Sequence, residues 1–269
     1  MIKIQFLNEV KPLLRGLIRH YWYVNGEEGS PPSKNLLLPM DHVDLIITMG
    51  DPYIYSKNKK IFQPKNIHFH GIREGSVQIT QQGRIQAVGI SFEPWGFYFF
   101  TRQSMSQYVN KIVDLRDVNH SLCEELSDHM VQFDDPIDFI KTVEESLIRC
   151  VNLKTQEHID CRIIEEFISS DINSIKDYCQ IGGVSIRKLE RIFKKYIGVS
   201  PKRFMNIVRF EASSRDMINS NSSSLTDISY KHGYYDQPHF ARVFKDYTDY
   251  APKDFQSDKP AVKSHFDYE

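Results

Sequence analysis

The chain has no CxxC pair: its four cysteines, Cys123, Cys150, Cys161 and Cys179, stand apart, and the simplest expectation is reduced thiols in the cytoplasm. It has no long apolar run and no apolar N-terminal segment resembling a signal peptide, so no membrane partner is expected. It lacks a Gly-x-Ser-x-Gly elbow, and Cys161 and Cys179 fall within helical patterns, which argues against a nucleophilic enzyme and for structural thiols. Net charge is missing as well. Lys and Arg total 34 against 35 Asp and Glu, so the whole advertises neither a nucleic-acid nor an acidic partner and any such signal must be local.

What is present is a globular composition: 269 residues, 41% hydrophobic and 12% aromatic, enough to bury the cores of one large or two ordinary domains. The segments KNLLLPM, HVDLIITM, KNIHFHGI, SVQITQQ and RIQAVGISF are short, rich in Ile, Val, Leu and Phe, and punctuated by Gly, Pro, Asn or Asp. They read as strands of a small barrel or sandwich. Beyond FEPWGFYFF the spacing becomes helical in HSLCEELSDHMVQF and PIDFIKTVEESLIRCV, with Pro136 suited to a first turn. From TQEHIDCRIIEEFISS the pattern stays helical to about Phe255, with Ile159, Ile163, Ile164, Phe167 and Ile168 as one stripe. The expected class is therefore α+β in two domains: residues 1–150 β-rich and ending in helices, and 155–257 all-α. Residues 258–269 form a polar tail expected to fray.

The helical part contains an internal repeat. SIKDYCQIGGVSIRKLERIFKKYIGVSPKRF and SLTDISYKHGYYDQPHFARVFKDYTDYAPKDF are two copies of one unit. Each begins with Ser-x-x-Asp, a capping box for a short helix, and reaches a glycine, Gly183 or Gly233, that can end it with positive φ. A second helix follows at once, capped by Ser185 in one copy and Asp236 in the other, with Pro238 tolerable in the first turn. Helix, tight glycine turn, helix is the helix-turn-helix pattern. SPKRFMNIVRFEASSRDMIN between the copies has Ser200 as N-cap, Pro201 at the first position and a long helical pattern, so a stiff helix joins the two motifs.

The second helix of each copy is amphipathic. Leu189, Ile192, Phe193, Tyr196 and Ile197, and then Phe240, Val243, Phe244 and Tyr247, repeat at helical spacing and belong inside. Arg187, Lys188, Arg191, Lys194 and Lys195, and His239, Arg242 and Lys245, are left outward. Residues 181–256 hold 13 basic and 8 acidic side chains, a net +5 against −6 for the remainder. Arg191 and Arg242 occupy equivalent positions, where a guanidinium fork can bond guanine O6 and N7. Two reading heads about 34 Å apart would enter successive major grooves on one face of DNA.

With these features the C-terminal hundred residues resemble the DNA-binding domain of AraC/XylS-type transcriptional regulators, and DISYKHGYYDQPHFARVFKDYTDYAPKDF carries the signature. Ser229 and Cys179 stand where that family usually has alanine, Tyr234 where phenylalanine is common, and Asp249 where a glycine usually ends the last helix. The resemblance implies a cytoplasmic, sequence-specific DNA-binding regulator, with activation as the expected sign and without enzymatic activity or a cofactor. Contacts to DNA would come from Ser185, Arg187, Lys188, Glu190 and Arg191 in the first head and Gln237, His239 and Arg242 in the second. Lys194, Lys202 and Arg203 would touch phosphates. LLPMDHVDLIITMGDPY, HFHGI, QAVGISFEPWGFYFF and VDLRDV resemble the sensor domain of one branch of these regulators, which implies a cupin-like domain for effector binding or dimerisation. Promoter DNA is the implied partner, with RNA polymerase, a small-molecule effector and a second copy of the chain as further candidates. The helices around Leu122 to Met130 and Phe139 to Ile148 could pair two subunits or dock on the DNA-binding domain.

Two other readings of the β-rich part compete. His68 and His70 lie two apart and on a strand point the same way, so with Asp41, His42 or Glu93 they could ligate a metal, as in a cupin-type enzyme or metal sensor. The spaced cupin His/Glu pattern is absent, and histidines satisfied by hydrogen bonds fit better. Trp22, Tyr23, Tyr53, Trp95 and Phe97 could line an effector pocket or serve as ordinary sheet core, since both use the same composition.

Overall fold

The computed structural model describes residues 3–26, 32–57, 59–151, 154–170, 172, 174–219 and 224–258. Residues 152–153, inside the expected domain boundary, and the tail from residue 259 lie outside this set. Ten strands are found among the described residues: β1 Lys3–Leu7, β2 Ile18–Asn25, β3 Ser33–Leu37, β4 Asp44–Thr48, β5 Ile54–Lys57, β6 Lys60–Phe62, β7 Ile67–His70, β8 Val77–Gln81, β9 Gln86–Phe92 and β10 Ile112–Asp114. They pair antiparallel into two sheets, ordered β1-β2-β9-β4-β7-β10 and β3-β8-β5-β6. Among the described residues no strand pair joins the sheets, so of the two expected forms the sandwich is realised and the closed barrel is not.

The larger sheet is buried on both faces. One face carries Tyr21, Leu45, Phe69, Ile90 and Phe92 into a core with Leu122, Leu126, Val143 and Leu147. Those last four come from α2 His120–Met130 and α3 Pro136–Cys150, and Tyr21 Oη donates to the buried Glu144 carboxylate of α3 at 2.9 Å. The opposite face meets the smaller sheet through Val24, Ile46, Tyr55, Val77 and Ile79. Trp22 reaches that face because β2 sets it opposite Gly89 of β9. A Cβ on residue 89 would lie 1.8 Å from the indole, so only glycine leaves room for the ring.

A short helix α1 Tyr98–Thr101 precedes α2, and the C-terminal part is helical throughout: α4 Thr155–Ser169, α5 Ile175–Ile181, α6 Ile186–Tyr196, α7 Pro201–Asn219, α8 Leu225–Lys231, α9 Gln237–Thr248 and α10 Pro252–Asp258. The expected α4 stripe holds at Ile163, Ile164 and Phe167 but fails at Ile159, which is 45% exposed. Asp160 is buried beside it, accepting from Gln156 at 3.0 Å and from Tyr196 Oη at 3.3 Å, so a polar contact decides the rotation of that turn.

The two domains share their cores. Tyr196, fully buried at the end of α6, packs edge-on against Tyr98 with ring centroids 4.6 Å apart. At Gly198 a Cβ would come within 2.8 Å of the Met105 carbonyl oxygen, which marks how closely the turn after α6 approaches the β domain. Leu36 and Leu38 of the β domain enter the cluster of Phe210, Phe240, Phe244 and Phe255. Ser76 N–H donates to the Tyr247 carbonyl at 2.7 Å, and Arg203 pairs with Glu74 at 3.4 Å.

Candidate nucleic-acid interface

The two helix-turn-helix heads, α5–α6 and α8–α9, are built alike. Ser174 Oγ accepts from the Asp177 N–H at 3.3 Å, and Ser224 Oγ accepts from the Asp227 N–H at 3.1 Å. Only in the second copy does the aspartate reach back to the serine amide, at 3.3 Å. Gly183 and Gly233 have φ of +63° and +68° with open space around them, so the left-handed backbone, not crowding, calls for glycine there. Ser185 then caps α6 by accepting from the Lys188 N–H at 3.2 Å, and Asp236 caps α9 by accepting from the His239 N–H at 2.7 Å. Leu189, Ile192, Phe193 and Tyr196 are buried on α6, as are Phe240 and Phe244 on α9.

That inward anchoring turns the polar edge out. Ser185, Arg187, Glu190, Arg191, Lys194, Lys202, Arg203 and Arg242 are exposed, and Lys188, Gln237 and His239 are half-buried. The side chains of Arg187, Lys188, Arg191, Lys194, Lys202 and Arg242 form no ion pair or hydrogen bond with another described residue. All stand on α6 or α9 except Lys202, which lies in the first turn of α7. Arg203 is engaged by Glu74, and Gln237 Oε1 accepts from Thr226 Oγ1 at 2.8 Å. Lys195 corrects the expectation of an outward charge: it donates to Tyr196 Oη at 2.9 Å and sits 4.9 Å above the Tyr98 ring, so its charge is spent on the domain contact. Tyr230 and Tyr235, 66% and 86% exposed beside the second head, were not foreseen. In HGYYDQPH nothing but position relative to the Asp236 cap separates Tyr235 from the buried Tyr234.

Between the heads α7 runs for 19 residues, roughly 28 Å at 1.5 Å per residue. Its start is capped by Ser200, which accepts from the Arg203 N–H at 3.4 Å. A single rigid helix therefore sets the separation of two similar motifs with unpaired cations on their outer edges. Residues 178–258 match a family model described as a helix-turn-helix domain. The C-terminal domain is a helix-turn-helix domain of the AraC type. Residues 10–114 match a domain of unknown function, DUF6597. Over 79 residues, 29% of this chain and 28% of the relative, the AraC-type domain is 32% identical to the HTH-type transcriptional activator RhaS of Klebsiella pneumoniae. Over 102 residues, 38% of this chain and 13% of the relative, it is 30% identical to an HTH-type transcriptional regulator of Staphylococcus aureus. This chain thus spans well under a third of each relative's length. Among solved structures, ToxT from Vibrio cholerae aligns over 98% of this chain and 99% of its own, at 12% identity and a TM-score of 0.45.

A cluster of charges ties the AraC-type domain to the β domain. Arg19 donates to Asp41 Oδ1 at 3.0 Å and pairs with Glu93 at 3.4 Å. His42 Nδ1 lies 2.8 Å from Asp41 and its Nε2 lies 3.6 Å from Asp44. The Asp41 N–H donates to Glu211 of α7 at 3.2 Å, and Arg215 lies 3.7 Å from the same carboxyl group. Burial, then the Asp41 charge, pushes the Glu211 carboxyl up to about 7. Burial opposes protonation of His42, but Asp44 and Asp41 outweigh it and raise it to about 9.

Both shifts make the docked state hold more protons than an unfolded chain, whose Glu and His titrate near 4.3 and 6.5. The part of the stability these two groups supply should therefore fall as pH rises, through Glu211 from about 4.3 to about 7 and through His42 from about 6.5 to about 9. Each contribution is on the order of 1–3 kcal/mol. From about pH 7 to 9 thermal midpoints are expected to decline through His42. Below about pH 6.5 burial lowers both His68 and His70, which adds stability as pH rises, so Glu211 is read from the difference between proteins: the midpoint of Glu211→Gln should gain on that of the unaltered protein between about pH 5 and 7. A midpoint that rises from about pH 7 to 9, or a Glu211→Gln difference that stays constant between about pH 5 and 7, would contradict the assignment.

A cavity lies between the two sheets. Trp22 and Tyr53 line it together with Ile46, Ile79, His70 and Arg73. The other three expected pocket residues lie elsewhere. Tyr23 alternates to the opposite face of β2 and stacks on Phe133 at 6.0 Å. Trp95 donates from its indole to the Gly16 carbonyl at 3.0 Å, and Phe97 packs on Phe69 at 4.6 Å. His68 and His70 do face the same way, with ring centroids 5.6 Å apart. Yet His68 Nε2 meets Tyr55 Oη and its Nδ1 meets the Lys65 carbonyl, both at 2.9 Å. Among the described residues no group of three or more His, Cys, Asp and Glu is arranged to hold a metal ion.

Proposed function

We propose that the chain is a sequence-specific DNA-binding transcriptional regulator whose β domain controls its AraC-type heads. The observation that carries this is the pair of capped, glycine-turned heads on one rigid helix, each presenting an unpaired arginine, Arg191 or Arg242, at the matching position. In this reading α6 and α9 enter successive major grooves. Ser185, Arg187, Lys188, Glu190 and Arg191 read one segment, and Gln237, His239 and Arg242 read the next. Glu190 accepts from cytosine N4 and Gln237 pairs with adenine after releasing Thr226. Lys194 and Lys202 hold phosphates, and Arg203 joins them when phosphate replaces Glu74. Activation is the sign of regulation we assign, in keeping with the RhaS relative, and no catalytic step is assigned to any residue.

The β domain acts through the strand and loop from Leu36 to His42. Leu36 and Leu38 pack into the second head's core, Asp41 holds Glu211 of the joining helix, and Met40 lines the cavity between the sheets. An effector filling that cavity would press on the same segment that holds the heads. Fluorescence anisotropy with the chain's own upstream DNA and with random DNA, across a salt titration, tests the DNA reading. Specific binding should exceed random binding at every salt concentration. Lys194→Ala and Lys202→Ala should each lower the slope of log affinity against log salt by about 1 while weakening all sequences alike. Equal affinity for both DNAs throughout would sink the reading.

A further inference from the structure

The cavity between the sheets contains a buried cation that no carboxylate contacts among the described residues; Asp44, which lines the same cavity, and Glu211 act on it only from beyond ion-pair distance. Arg73, 4% exposed, follows β7 in a loop, and a guanidinium stays charged at neutral pH even where burial lowers its pKa. Its Nη1 donates to His70 Nδ1 at 2.7 Å and its Nη2 donates to the Leu38 carbonyl at 3.1 Å. No carboxylate lies within 4.0 Å of it among the described residues, and its Nε has no hydrogen-bond partner. Asp44, which faces the same cavity, is taken up by Ser91 Oγ at 2.6 Å and lies 3.6 Å from His42 Nε2.

The tautomer of His70 follows from this geometry. Arginine can only donate, so His70 Nδ1 must be the acceptor and the ring proton must sit on Nε2. Burial, with the Arg73 charge beside it, holds the imidazole neutral. Among the described residues its Nε2–H also lacks a hydrogen-bond partner. Two buried donors, one of them charged, are thus unsatisfied among the described residues, beside a cavity whose lining mixes Trp22, Val24, Ile46 and Ile79 with the polar Asp44, Tyr53, Tyr55 and Gln81. Leaving such groups unpaired costs free energy, and an acceptor bearing negative charge satisfies both needs at once.

We propose that this cavity binds a compact organic monocarboxylate, its carboxylate on Arg73 and His70 and its apolar body against Trp22, Ile46 and Ile79. The cavity measures about 80 Å³, on a scale where one water needs ~10–15 Å³, which favours a single ring or short chain over a large ligand. The inference rests on the regulatory reading of the β domain, but its test contains no DNA, so failure of DNA recognition would leave the result intact.

The test uses the full chain with benzoate, phenylacetate and hexanoate, and with their primary amides as neutral counterparts. Isothermal titration and thermal midpoints are recorded together. At least one acid should bind saturably below about 10 mM, on the order of tenfold tighter than its amide. Arg73→Gln should erase the preference for acid over amide, Arg73→Lys should keep part of it, and Ile79→Trp should block acid and amide alike with Arg73 in place. The Ile79 variant keeps the test decisive if Arg73→Gln does not fold. Acids and amides binding equally well to the unaltered chain, or no saturable binding by any of the three acids, would overturn the proposal.

Discussion

Replacing Arg191 and Arg242 together by alanine is expected to abolish sequence-specific DNA binding while leaving the thermal midpoint of the protein unchanged. Each guanidinium is exposed, forms no ion pair or side-chain hydrogen bond with another described residue and stands at the same point of its head. Neither contributes to a core, so folding should not register the loss. On DNA each should be worth about 1–3 kcal/mol of discrimination. The α7 helix keeps the heads apart, and in the proposed docking the two arginines would touch different bases, so the losses should add, to about 2–6 kcal/mol. The single variants should relax preference at one base position each, in different halves of the site. Loss of affinity that is uniform over all sequences would reassign both arginines to phosphate contacts.

Tyr196→Ala should have the largest effect on folding. The side chain is fully buried, packs against Tyr98 of the β domain and donates to Asp160 of α4. It is also the ring beneath the Lys195 ammonium, 4.5 Å from the centroid. Removing so large a ring from a core costs about 3–5 kcal/mol, and here the cavity opens at the junction between domains. Thermal unfolding should therefore drop in temperature and separate into two transitions. Tyr196→Phe, which keeps the ring and loses one hydrogen bond, should cost only about 1 kcal/mol and retain a single transition. Indifference to Tyr196→Ala would mean that the domains do not depend on this contact.

The parts of the molecule legible in sequence were those set by neighbours along the chain. Caps at Ser174, Ser185, Ser200, Ser224 and Asp236, positive-φ turns at Gly183 and Gly233, and a 3.6-residue apolar period are all local, and the structure contains each of them. β2 was not legible: its buried positions, Ile18, Tyr21 and Val24, are three apart because the pairing register shifts between Ile18 and His20 and because Tyr21 and Val24 serve the cores on opposite faces of the sheet. That irregularity hides a period of two. Ile159 and Lys195 were misjudged because contacts from distant segments, Asp160 with Tyr196 and Lys195 with Tyr98, overrode helical spacing. Arg73 was missed entirely. It lies in a loop without periodicity, and its significance comes from a buried charge that no carboxylate contacts among the described residues, which only the assembled sheets reveal.

The central claim is that two heads on one rigid helix read two adjacent segments of DNA. Selection of binding sites from a random duplex library by the full chain tests it most directly, with the Arg191→Ala and Arg242→Ala variants selected in parallel. The account predicts a bipartite site whose halves lie one helical turn apart, about 10–10.5 base pairs, with each variant losing preference in a different half. Recovery of no enriched sequence, or of a single half-site insensitive to both substitutions, would contradict it.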